Sequence, residues 1–283
     1  MSLPVKLCKA VNKIFPLPAH PFNLNNDGIQ TYVEWQFEKG ADTIKFYVKH
    51  ATTNEMFKDK IVLDIGCGAG GKTVYYASLG VAKIYGLEIL EKYRKDAEQF
   101  ATEKGYMHKF EFVCGDAAAT TFEDNMFDTI IMNDAIEHVD NPAETIAECY
   151  RILKPGGRLY LNFPPYYHPT GAHLSDAIGM PWVHCFFNED TMIKVYKDLV
   201  RDLPDGAERI EFRISTNEKG REYFSYINKM TIKRFKKIMK KSEFKVYDYS
   251  EYPLRRIFTL FAKLPFFKEF FVKMAVAILE KPE

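Results

Sequence analysis

The sequence predicts an α/β fold with a doubly wound parallel sheet, and residues 62–71 give the clearest sign of it. This run begins with apolar residues that are typical of a buried parallel strand and continues with glycines at alternating positions. Glycines allow the backbone to turn tightly and to approach a ligand closely. Residues 72–77 are typical of the helix that follows. A strand, a glycine turn and a helix in this order form a nucleotide-binding unit.

Length, charge and cysteine content exclude several classes of protein. At 283 residues the chain can bury a sizeable core, and its formal net charge of +1 creates no global field that would attract nucleic acid. The 5 cysteines are scattered and form no CxxC pair, which favours a reducing, cytoplasmic setting over a disulfide framework. We expect no signal peptide, because the amino terminus has no long apolar run. We also expect no transmembrane segment, because no apolar stretch reaches the roughly 18 residues of a spanning helix.

The position of Asp64 distinguishes between two classes of ligand. Gly66, Gly68 and Gly71 also satisfy the dinucleotide pattern G-x-G-x-x-G. A carboxylate at the end of the strand would repel a pyrophosphate, but it suits an ammonium group, bound directly or through water. S-adenosylmethionine (SAM) carries an amino-acid tail and no phosphate. We therefore favour SAM over a nicotinamide dinucleotide as the ligand.

Residues 62–71 resemble the first motif of the class I SAM-dependent methyltransferases, in which two hydrophobic residues precede Asp-x-Gly-x-Gly-x-Gly. Later segments match the pattern of the class in order, at residues 83–88, 110–117, 127–134 and 152–161. Within the class, the chain is similar to the type 11 group, which resembles the ubiquinone and menaquinone methyltransferases. The resemblance implies a Rossmann-like, doubly wound, seven-stranded sheet with an antiparallel last strand. It also implies an N-terminal helical arm and an insertion after strand five.

The resemblance places the cofactor contacts at the ends of the first four strands. Glu88 follows the glycines at about the 20-residue interval at which a carboxylate holds the ribose hydroxyls, and Ile89 would lie against the adenine. Asp116 would meet the adenine amino group, and the backbone N–H of Ala117 would meet a ring nitrogen. The predicted cofactor-binding residues are Asp64, Gly66, Cys67, Gly68, Gly70, Glu88, Ile89, Asp116, Ala117 and Asn133. Taken singly, Glu88 or Asp116 could be a solvated surface acid.

Four segments are predicted along the chain. Residues 1–57 would form the N-terminal helical arm or lid, and residues 58–163 the SAM-binding core. Residues 164–230 would form an insertion on the substrate side of the sheet. Residues 231–283 would complete the sheet.

Further elements are predicted inside these segments. We expect helices over residues 32–47, 91–103, 142–153 and 232–241. We expect strands over residues 209–214 in the insertion and over residues 244–249 and 272–279, the last two being strands six and seven.

Three histidines after strand five are the candidate general bases. Transfer of a methyl group to oxygen or nitrogen needs a proton acceptor, and a neutral imidazole can take a proton near pH 7. His168, His173 and His184 follow strand five, where the active edge of such a sheet is expected. Asp176 or a tyrosine could orient one of them. In the alternative interpretation the histidines only tie together the hydrogen bonds of the insertion.

A second cluster of polar residues follows strand four. Asp134, Glu137 and His138 resemble an acid-x-x-Glu-His segment that binds a divalent metal in ubiquinone O-methyltransferases and small-RNA 2′-O-methyltransferases. The same Glu-His pair also occurs in metal-free relatives, where it opens the next loop. Metal use stays open at this point, and we expect activity to survive chelation.

Two segments near the carboxyl terminus combine basic and apolar residues. The basic helix at 232–241 is interpreted as a solvated helix face with apolar residues on its inner side. Residues 257–271 are rich in Phe and Leu with interspersed cations, and they could lie in a membrane interface. Because Pro265 interrupts this segment, an element packed on the sheet between strands six and seven is the favoured alternative.

The sequence thus predicts an enzyme that transfers a methyl group from SAM to oxygen or nitrogen of a small molecule, with S-adenosylhomocysteine as product. The chain contains 23 Phe and 17 Tyr, which could wall a pocket for an aromatic or apolar acceptor or could fill layers around the sheet. The alternative functions are an RNA or protein methyltransferase and a non-catalytic SAM-binding partner protein. We expect no nucleic-acid partner, and the sequence does not indicate an oligomeric state.

Overall fold

The computed structural model describes residues 2–265 and 267–283, so Met1 and Phe266, which fall within the predicted arm and the predicted 257–271 segment, lie outside the described residues. The chain separates into two compact units. The sheet unit contains residues 31–163, 233–252 and 274–283. The accessory unit contains residues 2–30, 164–232 and 253–273. The roles assigned to the four predicted segments remain predictions.

The strands divide into a large sheet and a small one. In chain order they are β1 (Ile61–Ile65), β2 (Lys83–Glu88), β3 (Phe110–Cys114), β4 (Phe127–Asn133), β5 (Leu153–Phe163), β6 (Ile214–Thr216), β7 (Glu222–Phe224), β8 (Lys245–Pro253) and β9 (Val272–Glu280). The large sheet has the strand order β3-β2-β1-β4-β5-β9-β8, and β6 pairs with β7. Strands β1 to β5 run parallel, whereas β9 is antiparallel to β5. The predicted seven-stranded, doubly wound sheet with an antiparallel last strand is confirmed.

The helices of the described chain are mostly short. They are α1 (Leu3–Asn12), α2 (Pro21–Asn26), α3 (Tyr32–Ile44), α4 (Thr53–Phe57), α5 (Gly71–Ala77), α6 (Arg94–Glu103), α7 (Pro142–Ile152), α8 (Val183–Phe186), α9 (Glu189–Val200), α10 (Gly206–Arg213), α11 (Ile232–Met239), α12 (Thr259–Lys263) and α13 (Lys268–Phe271). Single 3₁₀ turns cover Glu91–Tyr93 and Arg256–Phe258. Within the described residues, none of the helices has both the length and the apolar character needed to cross a membrane.

Local sequence signals account for the helix that precedes β5. Asn141 caps α7 by accepting a hydrogen bond from the backbone N–H of Glu144 at 3.4 Å, and Pro142 occupies the first helical position. Helix α7 buries one face, which includes Ile146 and Cys149. The parallel strands are apolar and largely buried, as expected for strands covered by helices.

The strand predicted over residues 209–214 is wrong. Residues Gly206–Arg213 form helix α10, and β6 begins only at Ile214. The helical conformation places Arg209 and Arg213 one turn apart, where both form ion pairs with the buried Asp176, at 3.3 and 3.0 Å. In a strand these two residues would lie about 13 Å apart, too far to share one carboxylate.

Candidate functional site

The turn after β1 adopts conformations that require glycine. Gly66, Gly68 and Gly70 have φ angles of +73°, +54° and +79°. A Cβ atom on Gly66 would lie 2.9 Å from Cβ of Ala135, and a Cβ on Gly68 would lie 2.8 Å from Nε2 of Gln36. Side chains at these positions would therefore be both strained and obstructed. The backbone of this turn lies at the carboxyl end of the parallel strands, where the sequence predicts the cofactor.

Gln36 on α3 holds this turn, and sequence reasoning missed it. Its Nε2 donates to the carbonyl of Cys67 at 3.1 Å, and its Oε1 accepts from the backbone N–H of Gly71 at 3.2 Å. Thr31 and Glu34 form a capping box that begins α3. The capping box could have located the helix in the sequence. No local signal marks Gln36, since its partners lie more than 30 residues away along the chain.

Asp64 is buried at the end of β1. The Thr73 hydroxyl on α5 donates a hydrogen bond of 2.6 Å to its carboxylate. Burial raises the pKa of Asp64 to about 6, because the charged form loses its hydration. A cation beside this carboxylate would restore part of that lost stabilisation. The position therefore suits an ammonium group better than a phosphate.

Glu88 ends β2 and connects it to the glycine turn. Its carboxylate accepts hydrogen bonds from the backbone N–H groups of Gly68 at 2.9 Å and Leu90 at 3.1 Å. Burial raises the pKa of Glu88 above its usual value. The next residue, Ile89, is 65% exposed, an unusual position for a large apolar side chain. An exposed apolar surface beside a half-buried carboxylate can accommodate a flat ring joined to a sugar.

Asp116 and Ala117 follow β3, as predicted. The carboxylate of Asp116 accepts a hydrogen bond from the backbone N–H of Ala118 at 2.8 Å, which shapes the loop. Ala117 is buried. Because Glu88 and Cys114 are register partners in neighbouring strands, the ends of β2 and β3 lie side by side.

Asn133 at the end of β4 is engaged by the protein itself. Its Oδ1 accepts from the hydroxyl of Tyr47 at 2.6 Å and from Nδ2 of Asn162 at 2.5 Å, and its Nδ2 donates to the hydroxyl of Tyr76 at 3.1 Å. Asn133 and Asn162 are register partners in β4 and β5. Sequence reasoning missed Tyr47, Asn162 and Tyr76. This buried network fixes the end of β4 next to the glycine turn.

Among the described residues, Asp134 does not join Glu137 and His138 in a group of possible metal ligands. Asp134 adopts a left-handed conformation, and its carboxylate lies 3.7 Å from the ammonium of Lys72. A carboxylate oxygen of Glu137 and a ring nitrogen of His138 lie within 4.8 Å of each other. Both carboxylate oxygens of Glu137 are buried and lack a hydrogen-bond partner in the described part of the chain. Burial, followed by the nearby Asp134, holds the pKa of Glu137 well above its usual value.

The three candidate bases, His168, His173 and His184, all lie in the accessory unit. Burial lowers the pKa values of His168 and His184 to about 4, so both rings are neutral at pH 7. Nδ1 of His168 lies 3.1 Å from the hydroxyl of Thr170, and the ring of His184 lies 4.8 Å from that of Tyr166. Burial, rather than these contacts, keeps both imidazoles in their neutral form.

His173 contributes its backbone to a buried polar network. Its carbonyl accepts from Nη1 of Arg213 at 2.8 Å and from the hydroxyl of Tyr226 at 2.7 Å. Asp176, the predicted orienting acid, pairs with Arg213 at 3.0 Å and accepts from the hydroxyl of Tyr196 at 2.7 Å. These partners account for the burial of Asp176.

Comparison with known proteins places the central part of the chain in a family. Residues 63–161 match the family described as a methyltransferase domain. Tocopherol O-methyltransferase of Arabidopsis thaliana is 35% identical over 104 residues, which are 37% of this chain and 30% of that protein. Sterol 24-C-methyltransferase erg6 of Aspergillus fumigatus is 35% identical over 96 residues, or 34% of this chain and 26% of that protein. Norajmaline N-methyltransferase of Rauvolfia serpentina is 33% identical over 104 residues, or 37% of this chain and 36% of that protein.

Solved structures share the fold over most of the chain. The [4+2]-cyclase SpnF has a TM-score of 0.55 at 15% identity, covering 86% of this chain and 81% of that one. A protein of Listeria monocytogenes described as a putative SAM-dependent methyltransferase has a TM-score of 0.54 at 17% identity, covering 87% and 99%. At such identities the likeness shows the fold alone.

The seven-stranded sheet and the matched segment are those of a class I methyltransferase domain. Residues 63–161 belong to the methyltransferase domain family, and the cofactor of this enzyme class is SAM. The matching segment covers between a quarter and about a third of the length of the three curated relatives. The resemblance stated from the sequence is confirmed for this domain.

Proposed function

We propose that the protein transfers a methyl group from SAM to oxygen or nitrogen of a small molecule and releases S-adenosylhomocysteine. The names of two relatives support this proposal, since one is an O-methyltransferase of tocopherol and the other an N-methyltransferase of norajmaline. Methyl transfer from a sulfonium is an in-line displacement, so the protein mainly supplies alignment. A cytoplasmic location remains part of the proposal, although the tocopherol enzyme is named as chloroplastic.

The observation that carries the proposal is a pair of carboxylates beside the glycine turn, the buried Asp64 and the half-buried Glu88. In this proposal Asp64 binds the ammonium group of SAM, and Glu88 binds the ribose hydroxyls. Asp64 is buried beside Thr73, and Glu88 already bonds to the turn through Gly68. A dinucleotide phosphate would meet two carboxylates here, whereas the cationic amino-acid tail of SAM offsets the charge of Asp64.

The remaining cofactor residues would surround the adenosine. Ile89 would pack against the adenine, Asp116 would accept from its amino group, and the N–H of Ala117 would donate to a ring nitrogen. The backbone of the turn would face the methionine portion; its predicted contact residues are Gly66, Cys67, Gly68 and Gly70. Asn133 would act by positioning the end of β4, because its side chain is already engaged by Tyr47 and Asn162.

We propose that one of His168, His173 and His184 accepts the proton that the acceptor loses. The low pKa values of His168 and His184 support this, since both rings are neutral and able to accept a proton at pH 7. The same low values make these imidazoles weak bases. They therefore suit an acceptor whose own proton becomes acidic as the methyl group is transferred.

A carbon acceptor is a second candidate, favoured by the sterol 24-C-methyltransferase at 35% identity. Methylation of RNA or protein and a non-catalytic SAM-binding role are weaker candidates, since the relatives named above act on small molecules.

Product identification separates these possibilities. The full chain is incubated with methyl-labelled SAM and with small-molecule, RNA and protein fractions of a cell extract. Label in a small molecule, released as O-methyl or N-methyl on fragmentation, is the expected result. Label in a C-methyl group, in RNA or in protein would overturn it, as would SAM binding without turnover on every fraction. Asp64→Asn serves as the inactive variant and Glu111→Gln, a half-exposed acid on β3, as its matched control.

A further inference from the structure

The connection between β8 and β9 exposes a group of large apolar side chains together with cations. The apolar members are Ile257, Leu260, Phe261, Leu264 and Phe267. The cations are Arg255, Arg256 and Lys263, all of them exposed. We name these eight residues the apolar-basic surface. Ile257 is 77% exposed and Leu260 is 67% exposed, although residues of these types are usually buried.

Contacts within the accessory unit hold this segment in place. The ring of Phe271 lies 5.0 Å from that of Phe258 and 5.4 Å from that of Phe261. The backbone N–H of Leu254 donates to the carbonyl of Phe271 at 2.9 Å, which closes the connection at its base. Ala262 is the buried residue of α12. The exposed side chains therefore project from a segment that has an aromatic core of its own.

The segment carries an excess of positive charge. Residues 254–271 contain four cations and a single acid, Glu269. The carboxylate of Glu269 accepts a hydrogen bond from the backbone N–H of Ile232 at 3.0 Å. Across residues 2–265 and 267–283, no ion pair within 4.0 Å involves Arg255, Arg256 or Lys263. The segment thus presents these three cations together with exposed apolar side chains.

The basic helix α11 differs from the apolar-basic surface, because it exposes cations without exposing its large apolar side chains. Lys237 on α11 and Lys240 and Lys241 in the turn that follows it are exposed too, but the apolar residues Ile232 and Phe235 of α11 are buried. Helix α11 is therefore an ordinary amphipathic helix with a solvated charged face, as predicted. Charge without exposed apolar surface needs no partner.

Helix α1 of the same unit repeats the chemistry of the apolar-basic surface. Leu3 is 78% exposed and Leu7 is 54% exposed, and Lys6 between them is exposed as well. The sequence contains no acidic residue before Asp27. Two separate segments of the accessory unit therefore present apolar side chains with cations.

We infer that the apolar-basic surface docks on the interface of a bilayer that contains anionic lipids. The apolar side chains would enter the boundary between headgroups and acyl chains, where burial is favourable. Arg255, Arg256 and Lys263 would lie at the headgroups, and the guanidinium groups suit phosphate oxygens. The contact is interfacial, since none of the helices among the described residues is built to cross a membrane. The inference does not depend on the methyl acceptor.

The test measures sedimentation of the purified full chain with vesicles, in the absence of SAM and acceptor. The protein is expected to sediment with mixed phosphatidylcholine–phosphatidylglycerol vesicles and less with phosphatidylcholine alone. Binding should weaken as salt is raised, because the headgroup contacts are screened. The double variant Leu260→Ser, Leu264→Ser should lower the partition coefficient by roughly tenfold or more. The triple variant Arg255→Gln, Arg256→Gln, Lys263→Gln should remove the preference for the anionic lipid.

Matched controls remove similar side chains elsewhere. Ile29→Ser with Val246→Ser removes two exposed apolar side chains, and Lys237→Gln, Lys240→Gln, Lys241→Gln removes three cations from the end of α11 and the turn after it. Both control proteins should bind vesicles like the unaltered protein, and all variants should keep its circular dichroism spectrum. The inference is overturned if the unaltered protein does not sediment with the mixed vesicles. It is also overturned if the control variants lose vesicle binding to the same extent. A protein that does not bind vesicles but self-associates, and loses self-association in Leu260→Ser, Leu264→Ser, would show that the surface binds a second copy of the chain instead.

Discussion

Glu88 accepts a hydrogen bond of 2.9 Å from the backbone N–H of Gly68, so the residue proposed to bind ribose also holds the glycine turn. The turn follows β1 and Glu88 ends β2, and the two strands are parallel neighbours. A single carboxylate thus joins the two strand ends between which the cofactor is proposed to lie. Loss of this side chain would disturb both the shape of the turn and the bond to the ribose.

Glu88→Ala should lower SAM affinity by roughly ten- to a hundredfold, since hydrogen bonds to a charged acceptor contribute about 1.5–3 kcal/mol. Glu88→Gln keeps one acceptor oxygen and should lose less. Isothermal titration calorimetry of both variants gives the two values. Equal affinities of Glu88→Ala and the unaltered protein would remove Glu88 from the cofactor site.

Asp64→Asn should stabilise the protein without cofactor at neutral pH and weaken SAM binding. Burial raises the pKa of Asp64 from 3.8 to about 6. The folded protein therefore favours the protonated carboxyl: below pH 3.8 the residue costs no stability, and as the pH rises through 6 its ionisation destabilises the fold. The cost of the charge above that pH is roughly 2–3 kcal/mol. The melting temperature of Asp64→Asn should therefore exceed that of the unaltered protein by several degrees at pH 7.5 and by little at pH 4.5. A difference independent of pH would show that Asp64 is not buried as a charged group.

Replacement of the base should reduce turnover and spare the cofactor. Asn variants of His168, His173 and His184 are compared one at a time, and the responsible one should lower kcat by about 10²–10⁴ with nearly unchanged SAM affinity. If His168 or His184 is the base, kcat should fall only as the pH approaches 4, where its pKa lies. Full turnover in the triple variant would mean that the histidines are structural and that alignment alone drives transfer.

Activity is expected to survive exhaustive chelation. Asp134 pairs with Lys72, and burial holds the pKa of Glu137 well above its usual value. A raised pKa weakens a carboxylate as a ligand, because a cation must displace its proton. Turnover is measured after EDTA treatment and again after magnesium is added back. Loss of activity with recovery on magnesium would place this protein in the metal-dependent group.

The sequence predicted those parts of the fold that short-range patterns define. Residues 62–71 carry the apolar strand and the glycine turn together, and Asn141-Pro142 marks the start of α7 within two residues. The antiparallel β9 followed from the family resemblance rather than from any local pattern. The local predictions succeeded because each depends on residues that are neighbours in the chain.

The parts that failed or were missed depend on distant partners. Residues Gly206–Arg213 are helical because Arg209 and Arg213 share Asp176, more than 30 residues earlier. Gln36 and Tyr47 act through contacts with Cys67 and Asn133, at separations of 31 and 86 residues. The exposure of the apolar-basic surface was likewise undecided in the sequence, because periodicity does not show whether an apolar stripe is covered.

The central claim is that the site between β1 and β2 binds SAM, and competitive calorimetry tests it most directly. SAM, S-adenosylhomocysteine and NAD are titrated separately into the full chain at pH 7.5, and NAD is titrated again after saturation with S-adenosylhomocysteine. The account predicts binding of SAM and S-adenosylhomocysteine, weakened in Asp64→Asn and Glu88→Ala but not in Glu111→Gln, and no binding of NAD. Tight binding of NAD together with no binding of SAM would contradict it.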